Sequence, residues 1–192
     1  RVFLVIAYNK ASASSPDLKF VLCEFDPNAN LDFSATFTGT AGVFDVSSHF
    51  SNGAVVDVLS GTDYLGQFTV ASGNVDVSAV DATVTSVEIG YGFNVEAHTM
   101  PIDGNIQGGP LTGQQRSISK VILDVRNTLS VKVNDNELIL RNVTDDFSLG
   151  RSSTTGKHEF RFLGYNRDPV VKIGQSSPLP LDINGLVAEV SF

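Results

Sequence analysis

The chain has 192 residues, with 13 lysines and arginines against 21 aspartates and glutamates, for a net charge of −8. At 42% hydrophobic residues it is too apolar for a disordered chain, and no apolar stretch approaches the roughly 20 residues of a membrane-spanning helix. The isoelectric point near 4.7 argues against ordinary nucleic-acid binding, in which cationic side chains release counterions from phosphate.

The chain opens at Arg1, without Met, directly in the apolar run Val2-Phe3-Leu4-Val5-Ile6. This run lacks the pattern of a signal peptide, and its abrupt start is that expected of a fragment of a longer polypeptide. The next run, Phe20-Val21-Leu22-Cys23-Glu24-Phe25, holds the single cysteine. One cysteine excludes an intrachain disulfide framework and a multi-cysteine zinc site. Free cysteines are mostly buried, so Cys23 is expected to be a buried, inert thiol.

From there the apolar period is two. Val55, Val56, Val58 and Leu59 lie between Ser51-Asn52-Gly53 and Ser60-Gly61; Phe68-Thr69-Val70 and Val75-Asp76-Val77 flank Ser72-Gly73-Asn74. Thr83 to Ile89 reads as a further strand, rich in β-branched residues. Longer strands follow at Lys120–Arg126, Leu129–Val133, Glu137–Arg141, Glu159–Leu163, Val170–Ile173 and Leu186–Val190. A helix from Ser117 competes, because Ile118, Val121, Ile122 and Val125 also fit a 3.6 period; the β-branched content decides for a strand. Short alternating runs bounded by Gly, Asn, Asp and Ser predict an all-β chain of antiparallel sandwich or barrel modules.

Composition shifts near Asp26-Pro27-Asn28 and near Gly90 to Asn94 divide this reading into three parts. They are an opening β-hairpin from a preceding module at 1–28, a small β-domain at 29–92 and a larger antiparallel β-domain at 93–192. No internal repeat of fixed period is read. Two stretches, Met100 to Gln115 and Asp145 to Lys157, read as long Gly/Pro-rich or Ser/Thr-rich loops, candidates for contact between subunits or with a host.

No catalytic, cofactor-binding or metal-binding residue is assigned. His49, His98 and His158 lack a His or Cys at ligand spacing. Ser117-Ile118-Ser119-Lys120 matches the Ser-x-x-Lys nucleophile pattern, but that chemistry needs a helix N-terminus, and a strand turns positions three apart to opposite faces. Asp57, Asp63, Asp76 and Asp81 read as solvated turn carboxylates rather than a glycosidase pair. Asn134-Asp135-Asn136 reads as a hairpin turn and not as a calcium loop, and Asn142-Val143-Thr144 is a glycosylation sequon too common to carry weight. Gly90-Tyr91-Gly92 lacks a helix on which phosphate could dock and reads as a bend between two β units.

Three segments carry a resemblance. They are Gly53 to Gly61 with Phe68–Val70 and Asn74–Val77; Val87-Glu88-Ile89-Gly90-Tyr91-Gly92-Phe93 followed by Glu96, Thr99 and Met100-Pro101; and Asp168 to Gln175 with Ser177–Leu181 and Leu186–Val190. In this order they resemble the C-terminal part of tail nozzle proteins of short-tailed bacteriophages, also called tail tubular protein B, over roughly residues 45 to 192. In that family an HVGLPY-like element ends a small β-domain, a basic strand corresponding to Gly113–Val121 follows, and a DPLPL element precedes the last strand. The opening runs Val2–Tyr8 and Lys19–Phe25 are similar to the hairpin before this region. Gly92-Phe93 stands where the family has Pro-Tyr, and Ser177 where it has Asp.

The resemblance implies a non-enzymatic structural subunit of the virion, without cofactors. It would pack against copies of itself, a hexameric ring in the intact tail, and against other tail proteins. A surface for host contact is compatible with this, and DNA would pass without specific binding; an acidic wall suits that passage. It also implies that a large portion precedes this chain. The rival reading is a β-sandwich module that binds host glycans, against which the absence of Trp counts. A polysaccharide-degrading tail enzyme is a third.

Overall fold

The computed structural model describes all residues except 1, 10–17, 27, 102–104, 107–108, 111–114, 141–149, 168 and 192. Among the described residues there is no helix, and so none long and apolar enough to cross a membrane. The all-β, antiparallel fold expected from the alternation is what forms. The chain divides into two compact units, Arg1–Phe93 and Asn94–Phe192.

In the first unit, β1 (Val2–Asn9) and β2 (Leu18–Phe25) make a separate antiparallel ribbon, with Val2 opposite Phe25 and Asn9 opposite Leu18. Next come β3 (Asp32–Thr38), β4 (Val43–Asp45), β5 (Val55–Ser60), β6 (Asp63–Thr69), β7 (Asn74–Asp76) and β8 (Ser86–Tyr91). They form a four-stranded sheet in the order β3-β8-β5-β6 and a two-stranded sheet of β4 and β7. Val56, Val58, Val87 and Ile89 point from the larger sheet into a core that Phe44, Val46, Phe50, Val75 and Val77 complete. On β5 the opposite face is buried as well, at Asp57 and Leu59, which explains why this strand reads as an apolar run instead of an alternation.

These six strands are one three-strand pattern used twice. The second set begins 31 residues after the first at each step: Asp32 and Asp63, Val43 and Asn74, Val55 and Ser86. Sheet order and register obey the same relation. Asp57 faces Gly90 as Leu59 faces Glu88, about a centre at Val58 and Ile89. Val43 faces Asp76 as Asp45 faces Asn74, about Phe44 and Val75. Val46 N–H donates to the Gly73 carbonyl at 2.9 Å, and Val77 N–H donates to the Gly42 carbonyl at 2.8 Å. The unit therefore has an internal two-fold pseudosymmetry, correcting the expectation that no fixed-period repeat exists. The shared signal is Gly-x-x-Asp-Val-Ser, at Gly42–Ser47 and Gly73–Ser78. Each copy needs its glycine: Gly42 and Gly73 have φ of 75° and 79°, and a Cβ on Gly42 would lie 2.9 Å from the Ser78 backbone.

The second unit contains β9 (Glu96–His98), β10 (Asn105–Ile106), β11 (Gly109–Pro110), β12 (Ser117–Thr128), β13 (Lys132–Val133), β14 (Asn136–Glu137), β15 (Thr154–Arg161), β16 (Lys172–Gly174) and β17 (Ile183–Ser191). Strands β15-β12-β17 form one sheet, β14-β13-β16-β9 another, and β10 pairs with β11. Val121, Leu123 and Val125 of β12 pack with Val133 and Ile173 of the other sheet, closing a sandwich core. The competing helix from Ser117 does not form; that run is the central strand β12.

Several boundaries differ from those read in the sequence. The strand expected from Thr83 begins at Ser86, because the Asp81 carboxylate accepts the Thr83 N–H at 2.8 Å and its hydroxyl at 2.6 Å, keeping Thr83 in the turn. Of the run Leu129–Val133, only Lys132–Val133 is strand; Leu129 N–H donates instead to the Pro180 carbonyl. The loop expected to reach Lys157 ends earlier, since β15 pairs with β12 from Thr154 onward. Residues 145–149 of that loop, 102–104, 107–108 and 111–114 of the other, and the sequon at 142–144 lie outside the described residues.

Candidate functional site

The residues that could carry chemistry are dispersed. His49 contacts Ser48 Oγ through Nδ1 at 2.7 Å and meets the Phe37 ring edge-on. His98 pairs with Glu96 on β9, and His158 with the Thr154 hydroxyl at 3.1 Å. The His98 contact is the main reason the Glu96 carboxyl sits below its ordinary range. Ser117 is buried on β12, while the Lys120 ammonium pairs with Glu189 at 2.9 Å and is held above its ordinary value by that contact. The amine is thus committed to a carboxylate and is not an activating base for Ser117. Among the described residues no three His, Cys, Asp or Glu side chains gather as a metal site.

Asp76 and Asp81 are turn carboxylates, as expected. Each accepts a backbone N–H two residues on, from Ser78 and Thr83; the side-chain hydroxyls of those residues, and then these backbone bonds, hold both carboxyls below their ordinary range. Asp57 is different. It lies inside β5, only 6% exposed, which corrects its reading as a solvated turn residue. Its Oδ1 accepts the Tyr64 hydroxyl, and its Oδ2 accepts the Gly92 N–H at 2.9 Å. Burial, and then the bond to Asp57, hold the Tyr64 phenol well above its ordinary value. A carboxylate satisfied on both oxygens by fixed donors is a structural anchor for the end of β8. The sequence signal was present in principle: a lone acidic residue between Val56 and Val58 breaks an apolar run.

Cys23 lies half-buried on β2 of the opening ribbon, more accessible than the inert core thiol expected. Asn134 and Asp135 have φ of 46° and 68°, with Val133 facing Asn136 across them, as a type I′ hairpin turn requires.

A cavity of about 360 Å³ in the second unit is bordered by Arg116, Asn134, Asp135, Phe162, Tyr165 and Lys172, among others. Arg116 is 1% exposed; its guanidinium donates to the Arg167 carbonyl at 2.6 Å, and its backbone exchanges two hydrogen bonds with Asn166. The Lys172 N–H donates to Asn134 Oδ1 at 2.8 Å, tying β16 to the turn. Among the described residues, Asp135 is the one carboxylate that lines the cavity. The turn at Asn134 was read in the sequence, whereas buried Arg116 was not singled out, because its burial depends on segments 51 residues apart.

The chain matches no family model and no curated protein.

Proposed function

We propose that this chain is a structural subunit of the distal tail of a short-tailed bacteriophage, part of the nozzle through which DNA leaves the particle. The observation that carries the reading is the ordered set of three segments resembling tail nozzle proteins. Those segments fall on β5 to β7, on β8 with β9, and on β16 with β17, so they run through both β units. The all-β antiparallel architecture is compatible with such a subunit, and so is the net charge of −8, since an acidic wall does not adhere to DNA. In this reading the chain acts without catalysis or cofactor, in the virion, packed against copies of itself and other tail proteins. Cryo-electron microscopy of the parent particle tests it: density for this chain in a ring at the distal tail is expected, and its location elsewhere overturns the proposal.

A host-glycan binding module is the second reading. What favours it is an aromatic surface in the first unit, where Tyr91, 40% exposed, stacks on Phe33 at 6.4 Å and Phe93 is exposed beside it in sequence. Reproducible binding on a glycan array that is lost in Tyr91→Ala would raise this reading above the first.

A further inference from the structure

An asparagine followed by glycine can lose its side-chain amide without an enzyme, because a glycine has no Cβ to hinder its own backbone nitrogen and bends freely. The sequence holds two such pairs, Asn52-Gly53 and Asn184-Gly185. Both asparagines are exposed, so access to water does not separate them. Their hydrogen bonds do. Asn52 Oδ1 accepts the Gly73 N–H at 2.7 Å, and the Gly53 N–H donates to the Val70 carbonyl at 2.9 Å. The side chain and the nitrogen that would attack it are each held by a different partner.

Asn184 stands in the opposite situation. It lies on β17, an edge strand that pairs with β12 alone. Ile183 faces Val125 and Gly185 faces Asp124, so Asn184 is the extra residue of a β-bulge. Among the described residues none hydrogen-bonds its side chain. A Cβ on Gly185 would meet nothing within 4 Å, which leaves room for a ring to close there. Extended backbone keeps the Gly185 nitrogen away from the side chain, so attack needs a local opening. A bulged edge strand opens at low cost.

We propose that Asn184 is a site of spontaneous modification in the folded chain, while the fold protects Asn52. The Gly185 nitrogen gives up its proton and bonds to Asn184 Cγ, and the side-chain nitrogen leaves as ammonia. Water then opens the cyclic imide at either carbonyl, giving aspartate or isoaspartate at position 184. Either product adds a negative charge opposite Asp124. Isoaspartate also lengthens the backbone between Ile183 and Leu186, both packed on the second core.

The test incubates the folded chain in mildly alkaline buffer, then follows both asparagines by peptide mass spectrometry, with a parallel sample in urea. Conversion at Asn184 should outpace that at Asn52 by roughly tenfold or more, since two hydrogen bonds must open first at Asn52. In urea the two rates should converge. Chromatography should separate aspartate and isoaspartate forms of the Asn184 peptide, and Gly185→Ala, for which there is space, should slow their appearance while near-ultraviolet circular dichroism stays unchanged. Asn52 converting as fast as Asn184 in the folded chain would overturn the proposal. So would aspartate as the sole product, or a rate unaffected by Gly185→Ala, because either means direct hydrolysis by water.

Discussion

Asp57 Oδ2 accepts the Gly92 N–H at 2.9 Å, and a Cβ at position 92 would stand 2.4 Å from that same oxygen. The carboxylate cannot simply swing away, because its other oxygen holds the Tyr64 hydroxyl in a site that is 6% exposed. Gly92→Ala should therefore destabilise the first unit by about 1–3 kcal/mol, the cost of a buried group left without its partner. Asp57→Ala removes the acceptor for two donors and should cost roughly 2–4 kcal/mol on the same scale. Urea unfolding monitored by circular dichroism measures both; a change within experimental error for Asp57→Ala would refute the anchor role.

Tyr64 makes the same network sensitive to alkali. Its folded phenol titrates above the ordinary value of 10.0 because of burial and the neighbouring carboxylate. In the unfolded chain the phenol ionises near pH 10. The stability it confers is thus complete below that pH and is lost as pH rises beyond it, where the unfolded state releases a proton that the folded state retains. Melting curves between neutral pH and pH 11 should show a steeper loss of stability for the natural chain than for Tyr64→Phe. Parallel curves would refute the coupling.

Two arginines of the second unit should differ sharply. Arg116 is 1% exposed, bonded to the Arg167 carbonyl and packed beside β12. Arg126 reaches the same oxygen of Asp182 through two nitrogens, at 2.9 and 2.7 Å, but with its side chain 63% exposed. Arg126→Ala should cost less than about 1 kcal/mol, and Arg116→Ala more than about 2 kcal/mol, through a cavity and an unpaired carbonyl. Equal effects in denaturant titrations would contradict this assignment.

The alternation of apolar and polar residues made the strands legible, from Phe160-Arg161-Phe162 to Val131-Lys132-Val133, and with them the fold class. Strand ends were not legible where a side chain captures the backbone, as Asp81 does at Thr83. The duplication was hidden for a different reason. Few positions need the same residue in both copies: the glycine at left-handed φ, the Asp that caps the following turn, and the Val and Ser after it. Between those anchors Val58 and Ile89, or Phe44 and Val75, satisfy the same packing with different side chains. Asp57 and Arg116 were missed as fixed points because each takes a partner from far along the chain, Gly92 35 residues and Arg167 51 residues away.

The pseudosymmetric centre yields one more expectation. Val58 and Ile89 face each other and are both fully buried. Ile89→Ala should cost about 2–5 kcal/mol, and its combination with Val58→Ala should deviate from additivity, as for residues in direct contact. A double-mutant cycle with no interaction energy would argue against a shared core at the axis.

Every strand pairing among β3 to β8 joins one 31-residue half to the other: β3 with β8, β5 with β8, β5 with β6, β4 with β7. Neither half pairs two of its own named strands with each other, so each depends on the other for its sheet. The two residues Gly61 and Thr62, between Ser60 and Asp63, are the covalent link between the halves. Their task is that of a tether, keeping each half at an effective concentration on the order of millimolar around the other. Seen this way the unit is a dimer whose two subunits happen to share one chain.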